Sequence, residues 1–274
     1  MVRVVLLGTG TPVPDAARCG SGTAVVAPDG WVLIDCGRGV TQRVLEAGLD
    51  LRALQAVMLT HHHSDHVSDL ASLAITRWVA GGIGPLTVVA PRGPCARFAE
   101  RCLDVFDDEA FYSQAPAAAP PRPTVDVRSF EPTSSPAPVL AHDGWLVRAA
   151  LVDHHPIEAA VGYRIDVERT AVAVSGDTAV CGGIAQLAEG VDLLVHEAAR
   201  SDRVSPQLLA WNAGARSVGG LAHELGLRRV VLTHLLPAPL TVEDETAFID
   251  EARSSGYDGD LVLARDLMVL RLDP

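Results

Sequence analysis

Six consecutive residues, His61-His62-His63-Ser64-Asp65-His66, follow directly on the apolar run Ala56-Val57-Met58-Leu59-Thr60. A short apolar run of this kind reads as a buried strand, which puts the polar stretch on the turn at its end. Alternate residues of an extended segment point to one side, so His61 and His63 can share one cation. As the chain turns into a helix, Asp65 and His66 swing toward a second. Neutral imidazole and carboxylate both suit zinc, at ~2.0–2.2 Å. His62 is expected to point away. Polar residues clustered at the end of an apolar run are the feature to look for elsewhere in the chain.

The rest of the chain has that punctuation. Val2–Leu7 ends at Gly8-Thr9-Gly10-Thr11-Pro12, and Trp31–Ile34 at Asp35-Cys36-Gly37. Trp145–Val152 runs into Asp153-His154-His155, Ala171–Val174 into Ser175-Gly176-Asp177-Thr178, Leu193–Val195 into His196-Glu197-Ala198, and Val230–Leu232 into Thr233-His234. Further strands are expected at Thr23–Ala27, Leu86–Ala90, Val161–Asp166, Leu261–Ala264 and Met268–Leu272. Helices are expected at Val40–Ala47, Asp69–Val79, Pro94–Leu103 and Ala213–Leu225. The pattern is that of an α/β chain forming one unit, 1–274. Asp104–Pro138, with its APAAAPPRP and EPTSSPAP runs, reads as a surface excursion holding one strand at Val125–Phe130. A plain linker and a substrate-side lid both remain open for it.

Hydrophobic residues make up 48% of the chain and aromatics 4%, so the core must be built from small aliphatic side chains. All 22 basic residues are arginine and the net charge is −12, which argues against a broad nucleic-acid-binding surface. A local metal charge could still hold one phosphate. Five cysteines, an odd number without a C-x-x-C, point to a reducing, cytoplasmic setting. The N-terminal apolar run is too short for a signal peptide, and no stretch approaches the ~20 apolar residues of a membrane span.

T-H-x-H-x-D-H after an apolar strand resembles the signature of the metallo-β-lactamase superfamily. Leu7–Pro12, Leu33–Gly37, Val152-Asp153-His154 with Gly162-Tyr163-Arg164-Ile165, Ser175–Thr178, His196-Glu197-Ala198 and Leu232-Thr233-His234 resemble the successive blocks of its ribonuclease Z-like members. The resemblance implies a four-layer αβ/βα sandwich, two facing mixed sheets with helices outside. It implies two divalent metal ions, zinc first, with manganese or iron as alternatives. His61, His63 and His154 would hold one ion and Asp65, His66 and His234 the other, with Asp177 bridging. His155 competes with His154, whose offset from Gly162-Tyr163 fits bacterial members better. Asp35 would accept a hydrogen bond from a ligand histidine rather than bind metal.

Two such ions activate water and stabilise an in-line phosphodiester transition state, with Asp65 orienting the water or taking its proton. The implied function is a phosphodiesterase acting on a small-molecule or RNA diester, and the implied assembly a homodimer. The alternative is a lactone, thioester, sulfate-ester or β-lactam hydrolase, favoured if Trp78, Phe111 or Trp145 forms a narrow apolar pocket. One departure stands out. In ribonuclease Z-like enzymes a helix-opening histidine pairs with the glutamate of H-E-A and assists the leaving group. Here Asn212 takes that place opposite Glu197, and asparagine cannot supply a proton; His223, mid-helix, is the other candidate. Asp104–Pro138 carries only Arg122 and Arg128, so a tRNA-gripping arm is not supported there.

Overall fold

In the computed structural model the described residues are 1–106, 108, 112 and 122–272. Two seven-stranded sheets face each other. The first is built from β1 (Val2–Gly8), β2 (Gly22–Ala27), β3 (Gly30–Ile34), β4 (Leu54–Met58), β5 (Leu86–Pro91), β6 (Val125–Phe130) and β14 (Met268–Leu272), in the order β14-β1-β2-β3-β4-β5-β6. The second holds β7 (Ala137–His142), β8 (Trp145–Leu151), β9 (Val161–Val167), β10 (Thr170–Val174), β11 (Leu193–Ala199), β12 (Arg229–Leu236) and β13 (Asp260–Leu263), in the order β13-β12-β11-β10-β9-β8-β7. Both sheets are mixed. In the first, β3 through β6 run parallel while β14, β1, β2 and β3 alternate. In the second, β10 through β13 are parallel and β7 through β10 antiparallel.

Period-two alternation sets the layers. On β1, Val2, Val4 and Leu6 face the other sheet, while Val5 and Leu7 face helices. Val32 and Ile34 of β3, Met58 of β4, Tyr163 and Ile165 of β9, Val172 of β10 and Val195 of β11 join the inter-sheet core. Strands buried on both faces read as continuous apolar runs, which is why they were conspicuous in the sequence. Outside the first sheet lie α1 (Val40–Glu46), α3 (Leu70–Val79) and α4 (Pro94–Arg101), contributing Val44, Leu70, Leu73 and Ala99. Outside the second lie α5 (Gly182–Ala188), α7 (Ala215–Glu224) and α8 (Val242–Arg253), contributing Leu187, Val218 and Phe248. Two single-turn helices, α2 (Ser64–Val67) and α6 (Pro206–Leu209), sit beside the loops described next. The expected αβ/βα sandwich is what forms.

Several elements differ from expectation. β7, α5 and α8 had no sequence assignment. β6 falls at the expected residues and is a half-exposed edge strand that pairs parallel with β5 and extends the first sheet. Part of the Pro/Ala-rich stretch, including Phe111, lies outside the described residues. Trp145 is in the inter-sheet core with its indole N–H donating to Asp29, and Trp78 is buried edge-on to Tyr112. Both tryptophans are held in packing contacts away from the loop ends described below.

Candidate metal centre

Loops at one edge of both sheets bring the ligand candidates together. The β4–α2 turn supplies His61 and His63, and α2 itself Asp65 and His66; the turn after β8 supplies His154; the turn after β10 supplies Asp177; His234 lies inside β12. His61, His63, His154 and Asp177 converge in one group, and Asp65, His66 and His234 in another. In the first, His61 Nε2 is 2.9 Å from His63 Nδ1, His154 Nε2 is 3.4 Å from His63 Nδ1, and Asp177 Oδ2 lies 4.0 and 3.9 Å from the His61 and His154 nitrogens. In the second, Asp65 Oδ2 is 3.2 Å from His234 Nε2 and 3.5 Å from His66 Nε2. Asp177 reaches both groups, with Oδ1 3.4 Å from His66 Nε2 and Oδ2 3.5 Å from His234 Nε2. Donors at ~2.0–2.1 Å around a tetrahedral ion lie about 3.3 Å apart, and these separations bracket that figure.

The second group is held by backbone geometry that side chains rarely adopt. His234 has φ 46°, and the β11–β12 register slips there, Thr233 facing Glu197 and Leu235 facing Ala198. The extra residue is a bulge that re-aims the imidazole, so the strand continues through His234 where the sequence suggested it stopped. Asp35, directly after β3, has φ 60°. Conformations of this kind persist only when their surroundings enforce them. The turn carrying Asp65 is clamped as well: Ser21 N–H donates to its carbonyl at 2.8 Å, and a Cβ on Gly37 would stand 1.8 Å from that oxygen.

Hydrogen bonds set which nitrogen His66, His154 and His61 turn inward. His66 Nδ1 donates to Asp35 Oδ2 at 2.7 Å, leaving Nε2 for the cluster. His154 Nδ1 donates to the Trp211 carbonyl at 3.1 Å, with the same result. Thr60 Oγ1 gives its one proton to Asp35 and accepts from His61 Nδ1 at 3.0 Å. Asp35 thus orients His66 directly and His61 through Thr60. Asp35 was expected in this role; Thr60 and Trp211 were not singled out. Thr60 lies within the motif, but a main-chain carbonyl such as that of Trp211 leaves no side-chain signal. His155 is exposed beside Trp211 and takes no part in either group, while His154 does.

Charge and burial test whether cations belong here. Asp35, Asp65, Asp177 and Glu197 are all at most 4% exposed. Burying carboxylates without positive partners is costly. Among the described residues, the ion-pair partners of Asp35, Asp65 and Asp177 are histidines. Asp65 Oδ1, His66 Nε2 and Asp177 Oδ1 are buried without hydrogen-bond partners. Unsatisfied donor atoms of the right chemistry, converging from separate loops, fit divalent cations. Burial, then the neighbouring His66, holds His61 well below the usual imidazole range, so its lone pair is free. At His66 burial works the other way from its carboxylates, and Asp177 and Asp35 together raise it well above that range. Burial likewise opposes ionisation of Asp177, but His234 and His66 keep it well below the carboxylate range.

Glu197 and Asn212 form a second layer beneath the cluster. Asn212 Nδ2 donates to both Glu197 oxygens at 2.8 Å, and the Thr178 N–H donates to Oε1. Asn212 lies just before α7, where the pairing with Glu197 was expected. His223 is exposed on the outer side of α7, beside Gly256. Burial, then Asp177, raises Glu197 well above the carboxylate range, partly offset by Asn212 and Thr178. With both amide hydrogens committed to Glu197, Asn212 has only its oxygen left, an acceptor.

Two mixed sheets in αβ/βα layers, with His/Asp donor groups meeting at one edge, define a metal-dependent hydrolase of the metallo-β-lactamase fold. Residues 30–235 match the family described as Beta-lactamase superfamily domain. The chain is 34% identical over 283 residues to Ribonuclease Z of Mycobacterium avium (strain 104), covering 100% of this chain and 99% of that one. It is 36% identical over 285 residues to Ribonuclease Z of Mycobacterium sp. (strain KMS), covering 100% and 97%. The crystal structure of the short form of human tRNase Z superposes with a TM-score of 0.75 at 20% identity, over 99% of this chain and 100% of that one. The metallo-β-lactamase fold protein YhfI from Bacillus subtilis gives 0.75 at 22% identity, over 98% of each chain. The chain belongs to the ribonuclease Z family of this superfamily. Among the described residues no helix is long and apolar enough to cross a membrane.

Proposed function

We propose that the protein is a binuclear zinc phosphodiesterase whose substrate is an RNA or small-molecule phosphodiester. The observation carrying this reading is the pair of adjacent donor groups that share Asp177. His61, His63 and His154 would hold one ion, Asp65, His66 and His234 the other, and Asp177 both. Two divalent cations so held supply Lewis acidity, which lowers the pKa of water and neutralises charge on the phosphate oxygens. Asp65 Oδ1, buried and unpartnered, is free to accept the proton of the attacking water. Asp35, Thr60 and the Trp211 carbonyl keep the ligand nitrogens aimed inward. Glu197 holds Asn212, and neither provides an exposed acid for the departing oxygen.

General acid assistance is typically worth ~10²–10⁴-fold. Diesters with good leaving groups should therefore turn over well, and those releasing a ribose alkoxide less so. The protein, with its bound metal counted, is assayed on bis(p-nitrophenyl) phosphate and on a pre-tRNA bearing a 3′ trailer, alongside Asn212→His. Cleavage of the chromogenic diester, little trailer cleavage and at least a tenfold gain in trailer cleavage by Asn212→His would support the reading. Efficient trimming by the wild type would overturn the role given to Asn212. Two bound metals without diester cleavage would move the assignment to lactone, thioester or sulfate-ester hydrolysis. The free cysteines support a reducing, cytoplasmic setting. A homodimer is part of the reading, tested by light scattering.

A further inference from the structure

Two chain segments grip the main chain of Asp65 and His66. Ser21 N–H donates to the Asp65 carbonyl at 2.8 Å, and Cys36 N–H to the His66 carbonyl at 2.7 Å. The segments are also tied to each other. Gly20 N–H donates to the Arg38 carbonyl at 2.8 Å and Gly37 N–H to the Ser21 carbonyl at 2.9 Å. The fit leaves no slack, since a Cβ on Gly20 would stand 2.6 Å from the Asp65 oxygen. Both segments are anchored at one side chain far along the chain. Asp266 lies in the turn between β13 and β14, with its side chain 5% exposed. Its Oδ2 accepts from Cys19 N–H at 2.8 Å, two residues before Ser21. The same oxygen accepts from Arg43 Nε at 3.1 Å, on α1, the helix that opens just after Arg38. Oδ1 accepts from the Thr9 amide and hydroxyl at 3.0 and 2.8 Å. The turn itself is pinned by Leu267 N–H, which donates to the Leu6 carbonyl at 2.7 Å.

We propose that Asp266 is a positioning residue for Asp65 and His66. Through Oδ2 it holds the two segments that fix their carbonyls, and so the aim of their side chains at the second ion. The inference rests on the two-metal reading and deepens it by separating the ions. The first ion, on His61, His63 and His154, depends on groups outside this grip. Hydrogen bonds to a carboxylate are stronger than neutral ones, and removing the carboxylate leaves its donors unsatisfied. Metal–ligand distances tolerate only about ±0.2 Å, so small slack between the segments is felt as lost affinity.

Chelator-treated protein is titrated with Co²⁺ and its d–d absorption followed, with His234→Ala marking which signal belongs to the second ion. Outer groups that orient metal ligands typically change affinity by about 10–100-fold, and Asp266→Ala is expected to weaken the second ion by about tenfold. The first ion should stay within twofold of wild type. Thr9→Val removes one contact at Oδ1 and none at Oδ2, and should leave both ions within twofold. Should Asp266→Ala fail to fold, Arg43→Met takes its place and is expected to weaken the second ion while sparing the first. An unchanged second ion, equal weakening of both ions, or an effect of Thr9→Val as large as that of Asp266→Ala overturns the proposal. Amide exchange in the metal-free protein judges the grip apart from the ions. Faster exchange at Ser21 in the variant supports it, and an unchanged rate rejects it. A wild type that binds fewer than two Co²⁺ sinks the two-metal reading, and exchange at Ser21 then decides whether Asp266 holds the Asp65 main chain.

Discussion

At the scale of single residues, Asp35 braces the centre from outside the two donor groups. It accepts from His66, from both the amide and hydroxyl of Thr60, and from Ser21. Partners of this kind change metal affinity by about 10–100-fold when removed. Asp35→Ala is therefore expected to weaken divalent-ion binding by that factor, read by competition with a chromogenic chelator; affinity within twofold of wild type would refute the role. His196 illustrates a different effect. Burial pushes its imidazole down to about 4, partly opposed by the Glu197 carbonyl and Asp177. An unfolded histidine titrates near 6.5, so the unfolded state binds more protons between those two values. The contribution is intact above pH 6.5 and is lost as pH falls toward 4, amounting to about 2 kcal/mol by pH 5. In chelator-treated protein, His196→Gln should narrow the urea-stability gap between pH 7.5 and pH 5 by that amount, and an unchanged gap would rule the linkage out. The residues that converge in the two donor groups were legible because their types and spacing are chemically restrictive. The choice of His154 over His155 needed the turn after β8, which buries one and exposes the other.

Elements were readable where one residue period dominated. Doubly buried strands such as β1, β3 and β10 stood out as apolar runs, whereas the exposed edge strand β7 has a weak pattern, APVLAH. α8 was missed although it opens with a capping box: Thr241 accepts from the Asp244 N–H, and Asp244 reaches back to the Thr241 N–H. The signal T-V-E-D was present, but only Phe248 and Ala252 of α8 are buried, too few to mark an apolar face. Thr241→Ala should lower stability by about 1 kcal/mol, measured by urea unfolding. A change below 0.3 kcal/mol would mean that the cap contributes nothing here. The bulge at His234 had no sequence mark, because no residue pattern announces a left-handed histidine inside a strand.

Across the whole molecule, charge distinguishes this protein from nucleases that grip their substrates electrostatically. A net −12 opposes the approach of any polyanion. Salt screens that repulsion. Trailer cleavage measured between 50 and 200 mM salt should stay level or rise, whereas six to ten phosphate contacts would lower affinity by about 10³–10⁵. A steep fall would reveal a basic surface that the composition hides. The sandwich itself was inferred from resemblance, since strand order and facing cannot be read from periodicity.

The first sheet also sets a constraint on biosynthesis. β1 pairs with β2 on one side and with β14 on the other, Val2 opposite Leu272. In a growing chain one flank of β1 stays open until every other strand of the fold has been made. Translation thus exposes an apolar strand edge, the kind of template that invites intermolecular pairing, for nearly the whole time the ribosome needs to make the domain.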